Sequence, residues 1–169
     1  MGDSQRVPEL VATAKTAAKV STDRIAEIVK RMDGQGGPSS EDEDLRAATV
    51  ALELASVDIF SLFEARMQHH FRRGPFSRKL KTLLLEAKQS DLADRFHQYY
   101  LAINVLKHGK GASYRELLNA PNAFVVVKPV QDMADETRTT SGLVDVNVAG
   151  FFDGLTDTIL EAYEFLENR

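Results

Sequence analysis

Apolar residues recur at three- and four-residue steps along most of the chain, a spacing that puts them on one face of a helix. Val7, Leu10, Val11, Ala14, Ala18, Ile25, Ile28 and Met32 trace such a face over about 7–32. Pro8 falls in the first turn, where a missing N–H costs no hydrogen bond. Ser21, Thr22 and Asp23 interrupt the stripe and mark a bend or a restart. Residues 33–44 (DGQGGPSSEDED) read as a hinge, with glycines and proline to stop one helix and Ser39 or Ser40 ahead of acids to cap the next.

Leu45, Ala48, Leu52, Ala55, Ile59, Leu62, Phe63 and Met67 form a near-heptad stripe over about 41–71, which suits a long bundle helix or a dimer seam. Arg73-Gly74-Pro75 ends it. A third helix starts at the candidate cap Ser77 and carries Leu80 and Leu83–Leu85, with a bend or restart at Gln89-Ser90-Asp91. A fourth runs over about 91–107 and stops at Gly109, glycine being the usual residue beyond a helix end. A short helix follows at Ser113–Leu118, with Glu116 three residues after Ser113 in a capping-box pattern.

The character changes over 119–147. Phe124–Val127 and Leu143–Val146 are β-branched and apolar, and predict a hairpin insertion near 123–147. A last helix spans about 148–168, with Phe151, Phe152, Leu155, Ile159, Ala162 and Leu166 on one face. The fold class expected is all-α: one domain over 1–169, a bundle of four to five main helices with a small β-hairpin insertion.

At 169 residues, 43% hydrophobic and 27% charged, the chain is long enough for one packed core. With no cysteine, disulfides, thiolate catalysis and cysteine-held metal are excluded. No apolar run approaches the ~18 residues of a membrane span. The opening MGDSQRVPEL lacks the apolar core of a signal peptide, and a cytoplasmic protein with no membrane partner is expected. A net charge of −4 disfavours general polyanion binding, yet six cations stand between Arg66 and Lys81 without an acid. Arg72, Arg73, Arg78 and Lys79 in that run are candidate phosphate or RNA contacts, interleaved with His69, His70, Phe71 and Phe76. An electrostatic contact with the acids of the 33–44 hinge is the equal alternative.

On a wheel of about 100° per residue, His97, Asn104 and His108 fall within about 40° on the fourth helix, with Asp94 and Leu101 beside them. That stripe is a solvated face, a subunit contact or an active site. His97 and His108 are about 16 Å apart along one helix, too far to share an ion. No Glu-x-x-His pair occurs, so neither a metal nor a cofactor is expected. His108 at a helix end, with Asn104, Lys107 and Lys110, could instead move a proton while cations steady a phosphate.

A helix ending in Asn-x-x-x-His at Asn104–His108, followed by glycines and a capped short helix, resembles the HEPN superfamily of prokaryotic helical bundles. The resemblance covers about 45–120 and implies a homodimer that binds RNA or a nucleotide, in many members a metal-independent ribonuclease. It would make His108 catalytic and Asn104 the polar residue of the motif, while Lys107 and Lys110, read from the charge around that helix end, are candidate phosphate or RNA contacts. The motif's arginine should stand at 101–103, where this chain has Leu101, Ala102 and Ile103. Arg115 on the short helix is then the substitute cation. The function expected is a HEPN-like binding or regulatory module without nuclease activity. The alternatives are an active ribonuclease of the toxin–antitoxin or phage-defence type and a scaffold for a protein partner along 41–71.

Overall fold

A computed structural model describes residues 6–33, 40–120, 124–129 and 140–169. Helix α1 (Val7–Met32) is continuous through Ser21-Thr22-Asp23, where a bend was one expectation. Two of the polar residues there bond within the helix. The Thr22 hydroxyl donates to the Ala18 carbonyl at 2.8 Å, and Lys19 Nζ donates to Asp23 at 2.7 Å. Helix α2 (Ser40–Met67) begins in the expected acids and tightens into a 3-10 turn at Gln68–His70, closed by the Phe71 N–H on the Gln68 carbonyl at 2.9 Å. Its buried surface is wider than a heptad stripe. Glu53, Ser56 and Phe60 are buried as well, because α2 packs against three other helices, whereas Leu62 is exposed.

Helix α3 (Phe76–Glu86) starts behind Pro75, so Ser77 lies inside the first turn and does not cap it. Lys88, at φ 63°, reverses the chain with its neighbour Gln89 donating to the Leu84 carbonyl at 2.8 Å, and helix α4 (Ser90–His108) follows. Gly109, at φ 76°, ends α4 as expected. Helix α5 (Ala112–Asn119) has Gly111 at its cap position, so the Ser113–Glu116 capping box does not form. Helix α6 (Phe151–Glu167) begins three residues later than the periodicity suggests, behind the left-handed Gly150.

The described residues thus hold six α-helices, five longer ones and the short α5, beside the four to five main helices and one short helix expected. The expected β-hairpin is not formed as strands: among the described residues the two segments meet at one antiparallel bridge, between Val127 and Val144. It is framed by Lys128 N–H to the Leu143 carbonyl and Asp145 N–H to the Val126 carbonyl, both at 2.9 Å. The Lys128 carbonyl, the next group the pairing would use, accepts from the Tyr114 hydroxyl at 2.8 Å, and a turn follows Asp145 on the other side. The apolar residues of these segments serve the helical core, where Val125, Leu143, Val144 and Val146 are buried. Residues 121–123 and 130–139 of the changed segment, and 34–39 of the hinge, lie outside the described residues.

Four phenylalanines lock α2, α3 and α4 together. Phe60 stacks on Phe96 at 5.6 Å between centroids, and Phe63 meets Phe76 edge-on at 5.4 Å and Phe96 at 6.2 Å. This cluster fixes how far α3 stands from α4, and so sets the width of the cleft described next. No described helix is long and apolar enough to cross a membrane.

Candidate functional site: the α3–α4–α5 cleft

Gly109–Gly111 turns the chain sharply enough to lay α5 back across α4. Ser113 and Glu116, one turn apart on α5, meet Asn104 and His97, two turns apart on α4. Asn104 Nδ2 donates to Ser113 Oγ at 3.3 Å, and His97 Nε2 lies 2.6 Å from the Glu116 carboxylate. The polar stripe of α4 is therefore partly covered by α5, with Leu101 buried between the contacts. A further helix of the same chain thus covers the middle of the stripe, while Asp94 and His108 toward its ends stay exposed.

A cleft of about 380 Å³ opens beside these contacts. Ser77, Arg78 and Lys81 of α3 form one wall, Phe96, His97, Tyr100 and Leu101 the floor, and Ala112, Ser113 and Glu116 the other wall. The Tyr100 ring lies nearly parallel to His97, 6.2 Å between centroids and 30° between planes. Arg78 and Lys81 stand one turn apart, and neither has a carboxylate within 4.0 Å among the described residues. Glu116 is the only acid in the cleft lining, and His97 faces it. The cleft thus offers two unpaired cations, a flat aromatic surface and hydroxyl groups, the chemistry that holds a phosphate next to a planar group.

Glu64 carries a shifted pKa next to this wall. Burial pushes its carboxyl above the ordinary glutamate range, while the positive charge of Lys107 and the nearby Ser77 hydroxyl pull it back down. The Ser77 hydroxyl is itself buried and makes no hydrogen bond of good geometry. Burial likewise raises Tyr99, with Arg95 opposing the rise and Asp157 adding to it.

The structure does not gather the sequence-derived site residues into one constellation. Asn104 is engaged by Ser113. His108, the last residue of α4, is exposed and pairs with no described residue. Arg115 is exposed on α5, offset from Ser113 and Glu116 around the helix. Lys107 interacts with Glu64, and Lys110 is exposed beyond Gly109. Arg72 and Arg73 are exposed in the loop before α3, and the Lys79 side chain lies back over Gly74, within 2.6 Å of where a β-carbon would stand. Of the six candidate phosphate contacts, only Arg78 lines the cleft. Of the hinge acids that a contact with the basic run would draw on, Asp44 pairs with Arg24 of α1 at 3.7 Å. Sequence reasoning missed Lys81, Tyr100 and the Glu116–His97 pair. Glu116 was read as a cap partner within its own helix, and its role depends on how α5 lies across α4.

No protein-family model, curated protein or solved structure matches the chain. Fold and cleft together define a small all-helical protein with a cationic, aromatic-floored groove.

Proposed function

We propose that the protein is a HEPN-like binding module that takes a phosphate-bearing ligand, a nucleotide or single-stranded RNA, in the α3–α4–α5 cleft without cleaving it. The observation that carries this reading is the pair Arg78 and Lys81, which share a wall of the cleft, neither with a carboxylate within 4.0 Å among the described residues. Tyr100 gives a base a ring to stack on, a contact worth ~1–3 kcal/mol in single-strand binders.

The absence of nuclease chemistry is supported by burial. Leu101, Ala102 and Ile103, where the HEPN resemblance needs an arginine, are 3%, 0% and 1% exposed. An arginine there would be a desolvated charge in the core. His108, exposed and unpartnered among the described residues, also lacks the enclosed setting that tunes a catalytic histidine.

Fluorescence anisotropy with a labelled single-stranded RNA tests the reading. Arg78→Ala with Lys81→Ala should weaken binding and reduce the salt slope by roughly 1.4, about 0.7 for each lost cation. Unchanged affinity and slope in that double variant would overturn it.

A catalytic second reading has one observation in its favour. Glu116 orients the His97 imidazole at 2.6 Å, as a carboxylate orients a histidine base. The same RNA, incubated in excess EDTA with wild type, His97→Ala and His108→Ala, separates the cases. Cleavage lost in His97→Ala supports this second reading. Loss in His108→Ala alone restores the ribonuclease that the resemblance implies.

A further inference from the structure

Away from the cleft, two neighbouring histidines meet a glutamate from the far end of the chain. His69 and His70 occupy the 3-10 turn after α2, and Glu167 is the last residue of α6. One donor atom from each of the three side chains lies within 4.8 Å of the other two. We infer that His69, His70 and Glu167 form a binding site for a divalent transition-metal ion of the zinc, cobalt or nickel kind.

Three geometric features point this way. The tight turn brings the two imidazoles to the same side, with centroids 4.3 Å apart and planes 35° from parallel. His69 Nδ1 lies 2.9 Å from the Arg66 carbonyl oxygen, so Nδ1 carries the proton and donates it there, leaving Nε2 with its lone pair. A hydrogen bond of that kind is how proteins fix the tautomer and orientation of a ligating histidine. His70 Nε2 stands 3.4 Å from Glu167 Oε1, long for a charge-assisted hydrogen bond, whose usual length is about 2.7–2.9 Å. Two ligands at ~2.05 Å on a tetrahedral ion stand roughly 3.3 Å apart, so this pair already has the spacing an ion needs. The His97–Glu116 contact, at 2.6 Å, shows what a direct hydrogen bond between the same groups looks like in this protein.

The donor set also selects the ion. Calcium and magnesium require several oxygen ligands, and here there is one carboxylate. Two imidazoles and one carboxylate suit a borderline ion, with a fourth position left for water or a ligand. A neighbouring hollow of about 580 Å³, lined in part by His69, Glu167, Tyr163, Arg6 and Arg66, leaves room for it. The two arginines oppose a hard cation held by charge alone and so favour one held by nitrogen donors. The expectation of no metal rested on the spacing of His97 and His108 within one helix and on the lack of any Glu-x-x-His pair. It could not register a site whose members are 97 positions apart.

The test uses full-length protein without a histidine tag, stripped with EDTA and exchanged free of it, then titrated with Co²⁺ by absorption and Zn²⁺ by calorimetry. The result expected is about one equivalent bound by wild type, by His97→Ala and by His108→Ala, with affinity at least about tenfold weaker in both His70→Ala and Glu167→Gln. Glu167→Gln keeps the side-chain shape, so its loss of affinity reports the ligand and not the fold. No binding by wild type, or wild-type affinity in either His70→Ala or Glu167→Gln, would overturn the site.

Discussion

The Tyr99 hydroxyl occupies the space that a β-carbon at position 154 would need. Tyr99 is buried on α4, and Gly154 lies in the first turns of α6, where its missing side chain lets the two helices close. In an exposed helix interior alanine is favoured over glycine by about 1 kcal/mol. Here the steric term wins. Gly154→Ala should lower stability by about 1–3 kcal/mol in denaturant unfolding, as overpacking does. Adding Tyr99→Phe should recover much of that loss, since the nearest ring carbon stands 3.3 Å from the new β-carbon. A double variant no more stable than Gly154→Ala alone would place the conflict elsewhere.

Glu53 is 6% exposed on α2 and accepts hydrogen bonds from Ser141 Oγ at 2.6 Å and the Gly142 N–H at 3.0 Å. It fastens a segment 88 residues further along the chain to the core. Glu53→Ala leaves two donors unsatisfied and should cost about 2–3 kcal/mol, against about 1 kcal/mol for Ser141→Ala. The two losses share a bond, so the double variant should fall short of their sum. Strict additivity in urea unfolding would show that the bond contributes nothing.

Glu64 should make stability depend on pH in the less common direction for a carboxylate. Its folded pKa is raised, chiefly by burial, so the native state holds the proton more tightly than the unfolded chain. The resulting penalty is present above the folded pKa and is relieved as pH falls through it toward the unfolded value of 4.5. Glu64→Gln should therefore be more stable than wild type at pH 7, and the difference should shrink toward pH 4. Melting temperatures across that range check it, and a gain that grows on acidification would contradict the assignment.

Glu116 and Arg78 should act on ligand affinity with opposite signs. Glu116→Gln removes the one negative charge of the cleft lining and should tighten RNA binding several-fold at low salt, while Arg78→Ala weakens it. Because the His97–Glu116 pair is partly exposed, the same variant should cost no more than about 1 kcal/mol of stability. Anisotropy and thermal melts on the same samples separate the two effects. Weaker RNA binding in Glu116→Gln would mean that Glu116 contacts the ligand or holds the cleft open.

Local periodicity and punctuation were enough to place most elements. The span of α1, the end of α4 at Gly109 and the existence of α5 follow from residues that interact within a few positions of one another. Where polar residues bonded within their own helix, as Thr22 does with Ala18, the expected break did not occur. The two β-branched runs do meet, at the Val127–Val144 bridge, but form no strand among the described residues; such runs signal burial as readily as pairing, and Val125 and Val144 are both buried.

The sequence by itself determined the helices, because their apolar spacing, glycines and prolines act through neighbours three or four residues away. Tertiary structure decided the chemistry. Glu116 faces His97, Arg78 and Lys81 face Tyr100 across a cleft, and Glu167 reaches His70, only because packing around Phe60, Phe63, Phe76 and Phe96 and the closing of α6 on the bundle fix how the helices lie together. Those contacts span up to 97 positions, a separation at which helical periodicity carries no information.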